Sequence, residues 1–519
     1  MRQFSLASQL DRAAALYPNK RAVVFNDRVY TWREARERSQ RLARDLASLG
    51  VAPGERVAVL ALNGDDYFFL YFAVPMIGAI TVPINIRLAE AEVVAWLEDS
   101  GARTLVVDDA YVDMVDGLKA RCPDLAHCIY IGEGDCPQGL VRIGEDSGTS
   151  PGVGVEVYRE VATLFYTGGT TGRSKGVKQS HQSMLVNTLQ WVIATRTRSD
   201  DSLLVAAPMF HMVAGLNCIA AGTLAATLVI LPRFDPELAL QAIERERITK
   251  TALVPAMVDM LVRHEKFGDY DISTLQRISY GGAPMPEEVL RRAQEAMPGV
   301  QFIQIYGQTE TCGAVSCLPG EYHVLEGEAA AKRRSAGQPV IGSEVVILDP
   351  ESRILPTGEP GEICVRSPST TPGYWENEAE TESLYRGGWL HTGDIGYLDE
   401  DGFLFVVDRL KDMIVTGGEN VFAAEVENVI HQLADVEQCA VIGIPSEQWG
   451  ELVHAVIKRR PGSSLDEAAV IDHCRTLLAN FKCVRSVEFT DLDLPVSGAG
   501  KILKQELRKP WWSGNKRSI

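Results

Sequence analysis

The 519-residue sequence has no CxxC pair, no HExxH segment and no Gly-Lys-Ser/Thr at the spacing of a Walker A loop. The first two absences argue against a zinc centre and the third against a P-loop nucleotidase. Its ten cysteines are scattered (122, 128, 136, 218, 312, 317, 364, 439, 474 and 483). That pattern fits reduced thiols in a cytoplasmic protein, each a small buried hydrophobe, and not a disulfide scaffold. Positive charge is also short: 51 basic residues face 69 acidic ones, for a net charge of −18. Such a surface repels phosphate backbones, so no nucleic-acid partner is expected, although a local basic pocket for a small anion remains open. The N-terminal twenty residues are broken by charges and have no apolar core, so no signal peptide is expected.

Hydrophobic residues make up 46% and charged residues 23%. This is a globular composition, and the length predicts about three folding units. Two uncharged stretches, 67–85 and 202–232, approach the length of a membrane span. Pro75, Pro83, Pro208, His211 and Asn217 interrupt them. Buried core helix followed by strand is the better reading, so no transmembrane segment is expected. Peripheral membrane contact through an apolar patch stays open, although no basic amphipathic segment demands it.

Apolar strand-like runs alternate with helical patterns through the first two thirds. Examples are 56–62, 79–85, 104–109, 228–234, 251–255 and 276–281, with helical texture at 66–79, 110–123 and 236–248. That alternation predicts doubly wound α/β units with parallel sheets. From about 337, short alternating strands split by Gly, Pro and Asp predict a small antiparallel barrel. After 408–411 the texture becomes compact α+β. The expected division is a large domain over 1–410 and a small mobile one over 411–519. Segment 133–152 reads as a surface loop. The GxSxG match at 148–152 inside it lacks the strand–turn–helix setting of a nucleophile elbow.

The most informative segment is TLFYTGGTTGRSKGV (163–177). An apolar run leads into Thr167, Gly168, Gly169, Thr170, Thr171, Gly172 and then Lys175. Glycines let backbone N–H groups converge on an anion, threonines add donors and the lysine adds charge. The composition is that of a phosphate cradle; its bland alternative is a flexible hairpin.

YTGGTTGRSKG resembles the signature of the adenylate-forming superfamily: acyl-CoA synthetases, luciferases and adenylation domains. The usual form has Ser at Gly168 and Pro at Ser174. Five further segments follow in the family's order: YGGAPMP (280–286), YGQTE (306–310), GWLHTGD (388–394), DRLKDMIVTGGENV (408–421) and GKILK (500–504). The likeness runs from about residue 10 to 508 and points to the acyl-CoA ligase branch.

The resemblance implies ATP, Mg²⁺ and coenzyme A as the small molecules used. Glu310 is a hard oxygen donor for magnesium, and Thr309 a hydroxyl donor to phosphate. Asp394 suits two vicinal ribose hydroxyls, with Arg409 as a planar donor beside it. Gly281, Gly282, Ala283 and Pro284, with Tyr306 and Gly307, are expected to hold the adenine. Lys501 is implied at the α-phosphate, although Val496 and Ser497 replace the family's usual Arg-Thr before it. Lys411 falls at the interdomain hinge. Gly417, Gly418 and Glu419 resemble the loop lining the thiol tunnel. Trp449 is either a coenzyme A contact or a buried core residue.

His211, Met212, Val213, Gly281, Gly307 and Cys312 are expected to line the acyl pocket, with the glycines leaving room. His211 is grouped with Thr309, Glu310 and Lys501 as catalytic. No Asp lies between Asp201 and Asp235 to hold an amine, which disfavours amino-acid substrates. The pocket is apolar, so the acid is a medium- or long-chain fatty acid or an aryl acid, with fatty acids slightly favoured. The alternative acceptor is a carrier protein, supplied in trans because no carrier domain follows residue 510. A non-catalytic homologue is disfavoured by Lys175, Glu310, Asp394, Arg409 and Lys501. A cytoplasmic monomer or homodimer is expected.

Overall fold

The structure, a computed structural model, describes residues 4–144, 157–167, 174–283, 285–324, 326–409, 411–417, 419–446, 448–496 and 502–512. Two large sheets dominate it. In the first, strands Arg21–Phe25, Thr227–Ile230, Ser202–Val205, Lys250–Leu253, Arg277–Gly281 and Gln301–Tyr306 lie side by side and parallel. Antiparallel edges close it: Arg28–Thr31 at one side, Ser316–Leu318 and Gln338–Pro339 at the other. In the second, Val141–Arg142, His127–Tyr130, Thr104–Val107, Arg56–Leu60, Ile80–Pro83 and Val161–Thr167 run parallel, and Lys175–Ser180 returns antiparallel.

The two uncharged stretches explain how these sheets share a core. Helix Asp65–Met76 is apolar all round, and Phe68, Phe69, Leu70, Tyr71 and Phe72 are wholly buried. Helix Met212–Leu224 is nearly as buried. A helix without a polar face must be covered on all sides. Both helices belong to one apolar cluster, which takes Val57, Val59 and Val106 from the second sheet and Val23, Leu203, Leu228 and Ile230 from the first. No helix among the described residues is long and apolar enough to cross a membrane. All ten cysteines are free; nine are buried and Cys136 is partly exposed.

An antiparallel sheet follows, built from Glu344–Leu348, Gly361–Arg366, Tyr385–Arg386, Trp389–Leu398 and Leu404–Arg409. The chain then forms a mixed sheet of Ile414–Thr416, Glu419–Val421, Val436–Ser446, Gly450–Arg459 and Ser486–Thr490. Helices Ala423–Ile430 and Glu467–Leu477 pack on it around a separate core that begins at Ile414. The doubly wound α/β, antiparallel and α+β textures therefore appear in the expected order.

Two local readings differ. The helix expected over 110–123 is split into a 3₁₀ turn, Val112–Met114, and a short helix, Val115–Arg121. Gly117 weakens the second piece from within, and Pro123 follows two residues after its end. Segment 133–152 is not all loop, because Val141–Arg142 adds an edge strand beside Ile129 and Tyr130. Residues 145–156, with the GxSxG match, lie outside the described residues.

Replacing Phe68 by Ala deletes a fully buried ring from the shared core. The expected cost is about 3–5 kcal/mol. Thermal unfolding of the variant should show a clear fall in the midpoint, and an unchanged midpoint would contradict the packing described.

Candidate active site

The candidate site starts at a hairpin. Strands Val161–Thr167 and Lys175–Ser180 pair antiparallel, which sets Thr167 opposite Lys175. The loop between them, with Gly168, Gly169, Thr170, Thr171 and Gly172, lies outside the described residues, so only its two ends can be placed. Lys175 Nζ is 2.7 Å from Glu380 Oε2 and 5.2 Å above the centre of the Tyr374 ring. Tyr374 is held there by its backbone. Segment 373–375 runs along the return strand, where Lys178 N donates to Gly373 O at 3.0 Å and Trp375 N to Gly176 O at 2.7 Å.

The Tyr374 hydroxyl then donates to Glu310 Oε1 at 2.9 Å. Burial pushes this phenol well above its usual range, and the Glu310 charge adds to the effect, so it stays a proton donor. Three segments distant in sequence thus converge, with Tyr374 between the cation and the carboxylate. Gln179 Nε2 ties Thr309 O to the same strand at 2.6 Å. Glu310 is a buried hard-oxygen donor that Tyr374 links to Lys175, a set that fits Mg²⁺ carried on nucleotide phosphates.

A second cluster surrounds Asp394. Its Oδ2 accepts from the Tyr306 hydroxyl at 2.8 Å, and its Oδ1 lies 3.5 Å from Arg409 Nε. Asp394 and Arg409 are cross-strand neighbours in the antiparallel sheet. Burial raises the Tyr306 phenol far above its ordinary range, with the Asp394 charge second. Gln308 Nε2 donates to Thr392 O at 3.3 Å. The YGQTE and WLHTGD segments are therefore one structure.

Gly281 ends its strand directly opposite Ile305, and the turn continues through Gly282, at φ +78°, and Ala283. Pro284 lies outside the described residues. A side chain on Gly281 would collide with the Ile305 carbonyl, and one on Gly307 with the Gly313 carbonyl. These two glycines make room for neighbouring backbone.

His211 caps helix Met212–Leu224, with its ring centred 4.3 Å from that of Phe210. Met212 and Cys312 are buried in the shared apolar core, whereas Val213 is 45% exposed. Cys312 has a left-handed φ of +60°, and burial keeps its thiol protonated.

In the last segment, Asp412 pairs with Arg508 at 2.9 Å. Burial holds the Lys411 ammonium below its usual range, and neighbouring Arg409 lowers it further. Gly417 N donates to Trp449 O at 2.8 Å. The Trp449 ring covers Gly417, which has φ +60°, yet the ring is 47% exposed. Trp449 is therefore not a buried core residue. Glu419 pairs with Thr416 across a tight turn. Gly418 and Lys501 lie outside the described residues; Val496 and Ile502, on either side of the GAGK segment, form an antiparallel bridge.

Sequence reasoning missed Tyr374 and Glu380. Both sit in GYWENEAET, which carries no glycine-lysine or His-Asp signal and gains meaning only when laid along Lys175–Ser180.

Residues 10–375 match the family described as AMP-binding enzyme, and residues 425–501 the AMP-binding enzyme C-terminal domain. A feruloyl-CoA synthase from Amycolatopsis sp is 38% identical over 510 residues, covering 98% of this chain and 99% of that protein. A fatty acid–[acyl-carrier-protein] ligase, ScoC, from Streptomyces coeruleorubidus is 35% identical over 510 residues, covering 97% and 95%. Among solved structures, the amide bond synthetase McbA from Marinactinospora thermotolerans superposes with a TM-score of 0.87 at 29% identity, covering 97% of this chain and 99% of that one.

Gly307→Ala tests the turn that carries Thr309 and Glu310. The new methyl must displace the 307–313 backbone. The expected outcome is loss of measurable ATP binding by calorimetry together with a lower melting point. Wild-type binding in this variant would show that the turn tolerates rearrangement.

Proposed function

The chain belongs to the adenylate-forming AMP-binding enzymes, in the acyl-CoA ligase branch, and from that premise we propose which of its residues carry the two half-reactions. The activity is ATP-dependent acid–thiol ligation. In the first half-reaction the substrate carboxylate attacks the α-phosphorus of ATP, giving acyl-adenylate and pyrophosphate. A carboxylate is a poor acyl donor, and adenylation gives it a good leaving group. Two anions must meet, so fixed positive charge and oriented donors supply most of the catalysis.

The observation that carries the residue assignment is the convergence of Lys175, Tyr374 and Glu310. Lys175 meets the β- and γ-phosphates, together with the Thr167–Gly172 loop. Glu310 holds magnesium, which when bound offsets phosphate charge. Thr309 donates to the α-phosphate. Asp394 accepts from the ribose hydroxyls and Arg409 stands beside it. Gly281, Gly282, Ala283, Pro284, Tyr306 and Gly307 form the adenine slot. Glu380 now pairs with Lys175, so incoming phosphate must displace it.

In the second half-reaction the 411–519 unit turns about Lys411. Lys501 leaves the α-phosphate and the Gly417–Glu419 loop takes its place, with Trp449 offered to the coenzyme A nucleotide. The thiol attacks the acyl carbonyl and AMP departs. Using one site twice keeps the adenylate away from water.

The acid is apolar. His211, Met212, Val213, Gly281, Gly307 and Cys312 are assigned to its pocket, and the apolar character of Met212, Val213 and Cys312 supports an apolar acid. The similarity to a feruloyl-CoA synthase puts hydroxycinnamates first among candidates, and fatty acids second. A carrier-protein acceptor is the second reading, favoured by the likeness to ScoC. The enzyme works in the cytoplasm, as a monomer or homodimer.

The deciding assay is AMP and pyrophosphate release across a panel of acids, with and without CoA. AMP release dependent on CoA is expected for the right acid; pyrophosphate without acyl-CoA would move the acceptor to a carrier protein. Lys501→Ala should abolish adenylation yet still make thioester from supplied acyl-adenylate, and unchanged adenylation would overturn its role. Glu380→Gln removes the competing anion and should lower KM for ATP about two- to fivefold. A raised KM would show that Glu380 aids binding.

A further inference from the structure

One pair of strands in the antiparallel sheet is strongly irregular. Gly361–Arg366 and Trp389–Leu398 pair as Glu362 with Ile395, then as Cys364 with His391. Ile363 on one strand therefore stands against Thr392, Gly393 and Asp394 on the other. Two extra residues bulge out, and the last residue of the bulge is Asp394. Gly393, at φ +69°, makes the bend. A bulge re-aims a side chain at the cost of ladder hydrogen bonds, so the freed backbone groups need other partners.

Glu362 supplies them. Its Oε1 accepts from Gly393 N at 3.1 Å, and its Oε2 lies 2.8 Å from His391 Nδ1. The carboxylate only accepts, and Arg386 Nη2, also 2.8 Å from His391 Nδ1, only donates, so that ring nitrogen serves the carboxylate when protonated and the guanidinium when not. The carboxylate thus brackets the bulge, holding the residue before Asp394 and the residue three before it. Thr392 completes the brace: its hydroxyl donates to Ile363 O at 2.7 Å and accepts from Asp394 N at 3.1 Å. Arg386 Nη2, 3.2 Å from Glu362 Oε2, balances the charge.

Glu362, Cys364 and His391 also have the makeup of a metal site. The Arg386 guanidinium lies 2.8 Å from His391 Nδ1 and 3.2 Å from Glu362 Oε2, so a fixed positive charge already occupies the cluster and a hydrogen-bonded bracket describes it better than a cation cage. Burial pushes the Cys364 thiol up to about 12, which keeps it a neutral filler.

We propose that Glu362, braced by His391, is a positioning residue for the nucleotide: it sets the bulge that aims Asp394 at the ribose. This rests on the ribose reading of Asp394 above. Glu362 touches neither substrate nor reacting atoms in this account, so its effect is confined to interactions made through Asp394.

The test uses the full-length enzyme with ATP and 2′-deoxy-ATP, following pyrophosphate release. Glu362→Ala is expected to raise KM for ATP about tenfold, the loss of one hydrogen bond to a charged group. KM for the acid should stay within about twofold, and the preference for ATP over 2′-deoxy-ATP should collapse. Glu362→Gln keeps an acceptor for Gly393 N and should restore part of that preference. Equal losses on both nucleotides, with the preference intact, would mean a merely structural role and overturn the proposal. Should Glu362→Ala not fold, Glu362→Asp shortens the reach while keeping the charge beside Arg386, and is read by the same ratio. Asp394→Asn separates the two claims. If it leaves the preference intact, the ribose reading itself fails; if it abolishes the preference and the Glu362 variants do not, only the positioning role fails.

Discussion

The hydrogen bond from Tyr306 to Asp394 joins two different architectures. Tyr306 is the last residue of a parallel strand, and Asp394 projects from a bulge in an antiparallel sheet. Residues 307–310 run on from the first partner and carry Thr309 and Glu310. Residue 409, opposite the second, leads directly into Lys411. Moving that one contact would shift the proposed adenine slot, the proposed ribose acceptor and the proposed hinge together. Both partners are anchored: Tyr306 packs against the apolar core of the antiparallel sheet, while Asp394 is held by Thr392 through its own backbone.

Electrostatic balance is the second theme. A site for a polyanion must gather cations and still fold without its ligand. Among the described residues three cations have a local carboxylate: Lys175 has Glu380, Arg409 has Asp394, and Arg508 has Asp412. Partly buried charges left uncompensated would cost more than exposed pairs return. The carboxylates therefore stabilise the ligand-free protein, and in the proposed reading Glu380 is the one that incoming phosphate displaces.

Much of this was legible in the sequence. Strand runs such as RVAVL and TLVV have one meaning because strands buried on both faces must be continuously apolar. The apolar helix Asp65–Met76 was readable as core because Pro75 and the following strand cut it short of a membrane span. Gly168–Lys175, Glu310 and Asp394 stood out because phosphate and ribose chemistry needs those residue types. Tyr374, Glu380, Glu362 and His391 did not. Each acts by touching something far away in the chain, Glu310 from 64 residues on in the case of Tyr374. Their local surroundings, aromatic, acidic or β-alternating, look ordinary. The reason for Gly281 and Gly307 was also hidden, since backbone crowding depends on which strand becomes the neighbour.

The order of strands in the first sheet has a consequence for biosynthesis. Arg21–Phe25 is among the first segments made, yet its parallel partner is Thr227–Ile230, about 200 residues later. At ~5–20 residues per second that wait lasts on the order of 10–40 s. Throughout it the strand has only its hairpin partner Arg28–Thr31, and the oily helix Asp65–Met76 lacks the layer that will cover it. Translation speed and chaperone occupancy over that window thus set how much chain reaches the native state. A synonymous slow-down placed between residues 31 and 230 would lengthen the exposure, whereas one placed before residue 21 would not.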